Sequence, residues 1–200
     1  MRRRDFFTLL GGVAAWPFAA RAQQPLMPVI GFLHAGSPEQ NIQRLAAYRK
    51  GLSDTGFVEG QNVAIEFRWA DGHVDRLRDM ALDLVRREVA VIATPGSTDA
   101  ALAAKYATTT IPIVFAAGGD VVALGLVASL SRPSANVTGA TSLNVDIGAK
   151  RLDLIRRVVP KGARYFALVN PSSALSGSYL KDLQVGAAGL NSQRQHGCRH

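Results

Sequence analysis

The chain has 200 residues, 48% of them hydrophobic and 19% charged, enough apolar material for one domain with a full core and too much for a disordered chain. Its formal charge is +8, but the first 22 residues hold four arginines and one acid, and without them the charge falls to +5. That remainder is spread along the chain and marks no nucleic-acid surface. A single cysteine, Cys198, excludes an internal disulfide and a cysteine-based metal site.

In chain order, Met1–Ala22 opens with Arg2, Arg3 and Arg4 and continues as a small, apolar run from Phe6 to Ala20. Ala20-Arg21-Ala22 supplies the small residues a signal peptidase needs, so cleavage is expected after Ala22. Arg3-Arg4-Asp5-Phe6-Phe7 has the form of a twin-arginine export signal. The run is short and rich in glycine and alanine for a membrane span; an uncleaved anchor is the alternative. Export to the periplasm is therefore expected. Gln23–Pro28 follows as a polar linker.

From Val29 on, short apolar strands alternate with helical spacings. Strands are expected over Val29–Leu33, Val63–Trp69, Val89–Ala93, Ile111–Ala116, Val137–Thr141 and Arg164–Val169. A helix after Ser37 as N-cap and Pro38 as its first residue should turn Ile42, Leu45 and Leu52 inward and stop at Gly56. Further helices are expected from Leu77 to Val85, over Ser97–Ala107, over Val121–Ser131, and over Ile147–Val159 with Leu152, Ile155, Val158 and Val159 on one face. Such alternation implies an α/β fold, a parallel sheet with helices on both faces and right-handed connections. The expected organisation is a first lobe over 28–141 with strand order 2-1-3-4-5, the start of a second lobe over 142–189, and an irregular tail over 190–200. The tail, LNSQRQHGCRH, lacks apolar periodicity; it reads as a frameshift or premature stop after about Leu190, or else as a natural polar tail.

Ligands of open α/β sheets sit outside the carboxyl ends of the strands. That rule selects His34-Ala35-Gly36-Ser37, Thr94-Pro95-Gly96-Ser97-Thr98-Asp99 and Ala116-Ala117-Gly118-Gly119-Asp120. Ser97 and Thr98 offer hydroxyls and open a helix whose N–H groups favour a carboxylate or phosphate. Asp120 suits a ligand ammonium, and the set together suits an amino acid. Each has a plainer reading beside it: Ser97 and Asp120 as helix caps, Gly118-Gly119 as a turn, His34 as a structural or solvated histidine, Trp69 as core. No nucleophile elbow, phosphate loop or helical metal pair is present, so neither catalytic residue, cofactor nor metal is expected. Asn136-Val137-Thr138 fits the glycosylation pattern and reads as a strand start.

Several stretches together resemble a known family. They are IGFLHAGSP, GLSDTGFVEGQNVAIEFRWADG, the run from Asp75 to Asp120, GLVASLSRPSANVTGATS and KRLDLIRRVVPKGAR. The chain resembles the substrate-binding components of ABC transporters of the tryptophan/tyrosine type from Val29 to about Leu183. The resemblance implies a type I periplasmic-binding-protein fold, with two α/β lobes closing on a small-molecule ligand, and no catalysis. It further implies delivery to an ABC permease in the inner membrane. A monomer is expected. The family's contacts map onto Ser37, Thr94, Ser97, Thr98 and Asp120, with Asn170 at the matching strand end of the second lobe. Val121 stands where many members have proline. Members run well past this length, and their chain returns to the first lobe near its end. Two alternatives stand beside this reading: an exported α/β hydrolase-like enzyme, and a sensing or non-functional fragment of the binding-protein fold.

Overall fold

The computed structural model describes residues 27–132, 136–142, 147–159 and 164–196. The export segment with its cleavage point after Ala22, most of the following linker, and Cys198 lie outside the described residues.

Five strands form one sheet: β1 (Val29–His34), β2 (Ala64–Trp69), β3 (Val91–Pro95), β4 (Ile113–Gly118) and β5 (Val137–Ser142). Every pairing is parallel, in the order β2-β1-β3-β4-β5. This is the topology expected from the alternating pattern. β1 lies inside the sheet, and from Ile30 on every residue in it is buried. Such two-sided burial is why a central parallel strand reads as an uninterrupted apolar run.

Helices α2 (Leu77–Arg86) and α3 (Thr98–Ala107) cover one face. α2 buries Leu77, Ala81 and Leu84, spaced four and three residues apart along one helical stripe. α3 buries Ala100, Ala101 and Ala104, whose small side chains let the helix lie close to the strands. Leu33, Ile92, Ile113 and Phe115 complete this main core. On the opposite face, α1 (Ile42–Asp54) sets Tyr48 and Leu52 against a smaller cluster of Ile30, Val63 and Ala93. The same face of β4 and β5 is open: Val114, Ala116, Thr138 and Ala140 are all exposed. At Gly139 the backbone of β5 runs so close to Phe115 that an added Cβ would collide with its carbonyl oxygen and ring.

Several expectations are corrected. Ser37 does not cap a helix: a 3₁₀ turn over Glu39–Asn41 intervenes, and α1 starts at Ile42. The Asn41 amide donates to the Ser37 carbonyl at 2.8 Å, and Asn41 N–H to Pro38 O at 3.0 Å, which tightens this turn. Ile42 is 67% exposed because it starts α1 at the end of the sheet, leaving Leu45, Tyr48 and Leu52 as the inward stripe. No helix forms over Val121–Ser131. The chain makes turns there, with Gly125 at φ +68 and Leu126 N–H returning to Val121 O at 2.8 Å. A left-handed residue after one turn ends a helix.

The strand expected over Arg164–Val169 is absent. This stretch pairs with no strand among the described residues, and Phe166 and Leu168 lie open to solvent. A β pattern without a neighbour to bond forms no ladder. Beyond it, α5 (Ser176–His196) runs through His196, past Leu190, where irregular chain was expected. α5 lies against α4 (Gly148–Val158), with Gly186 facing Ala149. On α4, Ile155 and Val158 remain exposed, so its apolar face is only partly covered.

Candidate functional site

The loops leaving β1, β3 and β4 meet at one end of the sheet, and two hydroxyls stitch them together. Ser97 Oγ accepts the Ala35 N–H from the β1 loop at 3.2 Å and the Ala100 N–H at 3.4 Å. It is thus the N-cap of α3 and a bridge to β1 at once. Thr98 Oγ1 accepts the Gly118 N–H at 3.0 Å, tying α3 to the end of β4. Both residues are buried. Thr94, one residue before the end of β3, is fully buried, and its Oγ1 has no hydrogen-bond partner. Such a hydroxyl is costly unless something completes it.

The removal of a shared acceptor has a measurable price in stability. Ser97→Ala is expected to lower unfolding free energy by about 1–2 kcal/mol, the usual loss for an N-cap, because two backbone N–H groups lose their partner. Urea unfolding checks this, and an unchanged midpoint would contradict the bridging role.

A segment distant in sequence closes over the same end. Asp99, in the first turn of α3, accepts the Ala174 N–H at 2.7 Å and the Ser173 hydroxyl at 3.2 Å. The Leu175 side chain lies over Gly118. Asn170 opens this segment. Its Oδ1 accepts the Ser172 N–H at 3.0 Å, and its carbonyl accepts the Ser176 hydroxyl. Asn170 therefore shapes the loop that reaches Asp99. Asp120 is exposed, and its Oδ1 accepts the N–H groups of Val122 at 2.9 Å and Ala123 at 3.0 Å, the geometry of a turn cap. Ser37 stands by the 3₁₀ turn, where its hydroxyl and the Glu39 backbone N–H hold the Glu39 carboxyl below its ordinary value, the backbone bond first.

The structure thus gathers Thr94, Ser97 and Thr98 tightly and joins the Asn170 loop to them through Asp99. Ser37 and Asp120 stand in neighbouring loops. Asp99 and Arg44 were not singled out from the sequence. Asp99 had a faint signal as an acid in the first turn behind a serine cap. Arg44 had none, since one arginine on an amphipathic helix reads as solvated surface.

Arg44 reaches back to the end of β1. Its Nη1 donates to Asn41 Oδ1 and lies 3.5 Å from His34 Nε2. Gly96, at φ +77, has the guanidinium against its open side, and a Cβ there would meet Arg44 Nε at 2.5 Å. His34 is buried beside Phe32 and Trp69, with ring centroids 6.3 and 5.1 Å away. Burial, and secondarily the Arg44 charge, push its pKa down to about 4. The imidazole is neutral at neutral pH. Among the described residues, no group of three or more histidines, cysteines or acids is placed to hold a metal ion. Nor is any described helix long and apolar enough to cross a membrane.

A model of the family described as ABC transporter substrate binding protein matches residues 40–192. The chain belongs to this family. Among its relatives, the tyrosine-binding protein of Clostridioides difficile is 34% identical over 128 residues, which are 64% of this chain and 36% of that one. A conserved domain protein from Vibrio cholerae O1 biovar El Tor superposes with TM-score 0.72 at 27% identity, over 82% of this chain and 54% of that one. An ABC domain from Streptococcus pneumoniae, solved with L-Trp, superposes with TM-score 0.71 at 24% identity, again over 82% and 54%, and shows the fold alone. The chain spans about a third of the length of the curated relative and about half of each solved structure. The sheet and helices agree with the fold that the sequence resemblance implied.

Proposed function

We propose that this chain is the exported, periplasmic solute-binding component of an ABC importer, taking a small amino-acid-like ligand and delivering it to an inner-membrane permease. The observation that supports this best is the meeting of three strand-end loops, the α3 N-terminus and the Asn170–Leu175 segment around Asp99. First-turn N–H groups of a helix have no intrahelical partner and favour a carboxylate. Ser97 and Thr98 act mainly by holding that helix end in place, since both hydroxyls already serve internal bonds. Thr94 contributes a buried hydroxyl, Ser37 one at the rim, and Asp120 a carboxylate for the ligand amine. α4 and α5 are then the start of the second lobe, with Asn170 at its share of the cleft. The tyrosine-binding relative and the L-Trp complex favour an amino acid as the ligand.

The protein acts without catalysis in this reading, as a monomer. A hydrolase needs a base beside its nucleophile, whereas Ser97 Oγ is bonded to the N–H groups of Ala35 and Ala100.

A thermal-shift panel of amino acids tests the proposal. L-tyrosine or L-tryptophan at a hundredfold excess over Kd should add about 2.7 kcal/mol, which is roughly 5–10 °C for a chain of this size. Asp120→Ala should reduce that shift. A flat panel overturns the reading, as does turnover of an added substrate that Ser97→Ala abolishes.

A further inference from the structure

Where β1 ends, Arg44 Nη1 and His34 Nε2 lie 3.5 Å apart, and the tautomer of the ring decides whether Nε2 accepts or donates. His34 is 6% exposed. Its Nδ1 accepts the Gly36 N–H at 2.9 Å, so the neutral ring carries its proton on Nε2. That Nε2–H looks toward Arg44 Nη1 at 3.5 Å, and a guanidinium has donors only. Asn41 makes no bond to the histidine: its Oδ1 accepts from Arg44, and its amide donates to the Ser37 carbonyl.

Arg44 itself has no carboxylate partner among the described residues, where the ion pairs engage other cations. It lies across Gly96, immediately before the cap of α3. A cation beside the positive end of a helix is unfavourable, and the Asp99 carboxylate in the first turn of α3 is bonded to Ser173 and Ala174 rather than to Arg44. Arg44 is exposed, so an incoming group has access.

We propose that Arg44 and the Nε2–H of His34 form an oxyanion subsite that receives the carboxylate of the bound solute. One carboxylate oxygen accepts from His34, the other from the guanidinium, and the α3 N-terminus adds its dipole. Burial keeps His34 neutral, and the Gly36 N–H bond to Nδ1 selects the tautomer in which Nε2 donates. This inference rests on the solute-binding reading and assigns the acidic end of the ligand to residues of α1 and β1.

Benzoate is the probe, with benzamide as its neutral isostere. In the ¹⁵N-labelled 200-residue chain at neutral pH, His34 Nε2 should show the protonated resonance and move on addition of benzoate but not of benzamide. Arg44→Gln, on the exposed side of α1, should weaken benzoate at least about tenfold, the scale of one lost charge-assisted bond. Arg44→Lys should restore part of it. An unmoved His34 resonance overturns the proposal, as does an equal response to benzamide or unchanged benzoate affinity in Arg44→Gln.

The two readings fail separately. If L-tyrosine stabilises the wild type and Arg44→Gln alike, solute binding stands and this subsite falls. If no amino acid stabilises the chain but benzoate moves His34 through Arg44, the subsite stands and the amino-acid reading falls.

Discussion

Gly139→Ala is expected to destabilise the folded chain by about 3 kcal/mol, the upper range for overpacking, and to lower its melting temperature by roughly 6–12 °C. Gly139 sits opposite Phe115 in the β4–β5 ladder, and a Cβ there would run into the Phe115 carbonyl and ring. Neither can move cheaply. The carbonyl belongs to the strand, and the ring is buried in the main core. β5 would have to separate from β4, weakening the ladder that ends beside the site loops. Gly51 is the internal control. It lies inside α1 with nothing within 4 Å of an added Cβ. Gly51→Ala should therefore stabilise by about 0.5–1 kcal/mol through helix propensity. Thermal unfolding of both variants decides the matter: equal effects at the two positions would refute the close approach at Gly139.

The second large effect is acid destabilisation through His34. Its folded pKa is about 4, against 6.5 for a free histidine. Between these values the unfolded chain binds a proton that the folded chain refuses, so stability is full above about pH 6.5 and falls as pH drops toward 4. At 1.36 kcal/mol per unit of pKa, the loss approaches roughly 3 kcal/mol and then levels off. Asp83 acts in the other part of the scale. The Arg68 hydrogen bond, helped by Arg87, holds its carboxyl below 3.8, so its contribution is lost only in stronger acid. Urea unfolding from pH 7 to pH 4 should show the decline, and His34→Gln should flatten it. A wild-type profile flat over this interval would show that His34 gains its proton readily in the folded chain.

Much of the five-stranded sheet was legible because its signals are local. Apolar runs of about five residues, helical spacings and the intervening glycines predicted five strands in the observed order. Strand boundaries moved by up to two residues, as at β3, where Val89 and Ala90 belong to the approach rather than the ladder. The errors have two physical sources. Arg164–Val169 carries a strand pattern, but pairing depends on a neighbour and not on the pattern. Val121–Ser131 has apolar residues at helical spacing, yet Gly125 sends the chain around a turn instead. At the site, Ser97 and Thr98 were visible as a cap and its neighbour, but not their bonds to Ala35 and Gly118, which come from distant elements. Arg44 was invisible because only the fold carries its guanidinium from α1 to the turn before α3.

The contact between Asp99 and Ala174 joins residues 75 positions apart. Closing so long a loop costs chain entropy that two hydrogen bonds do not repay unless the intervening strands are already in register. Such a contact belongs late in the assembly of the chain and early in its opening. The segment it tethers is then a separate cooperative unit, able to release from α3 while the five-stranded sheet stays intact.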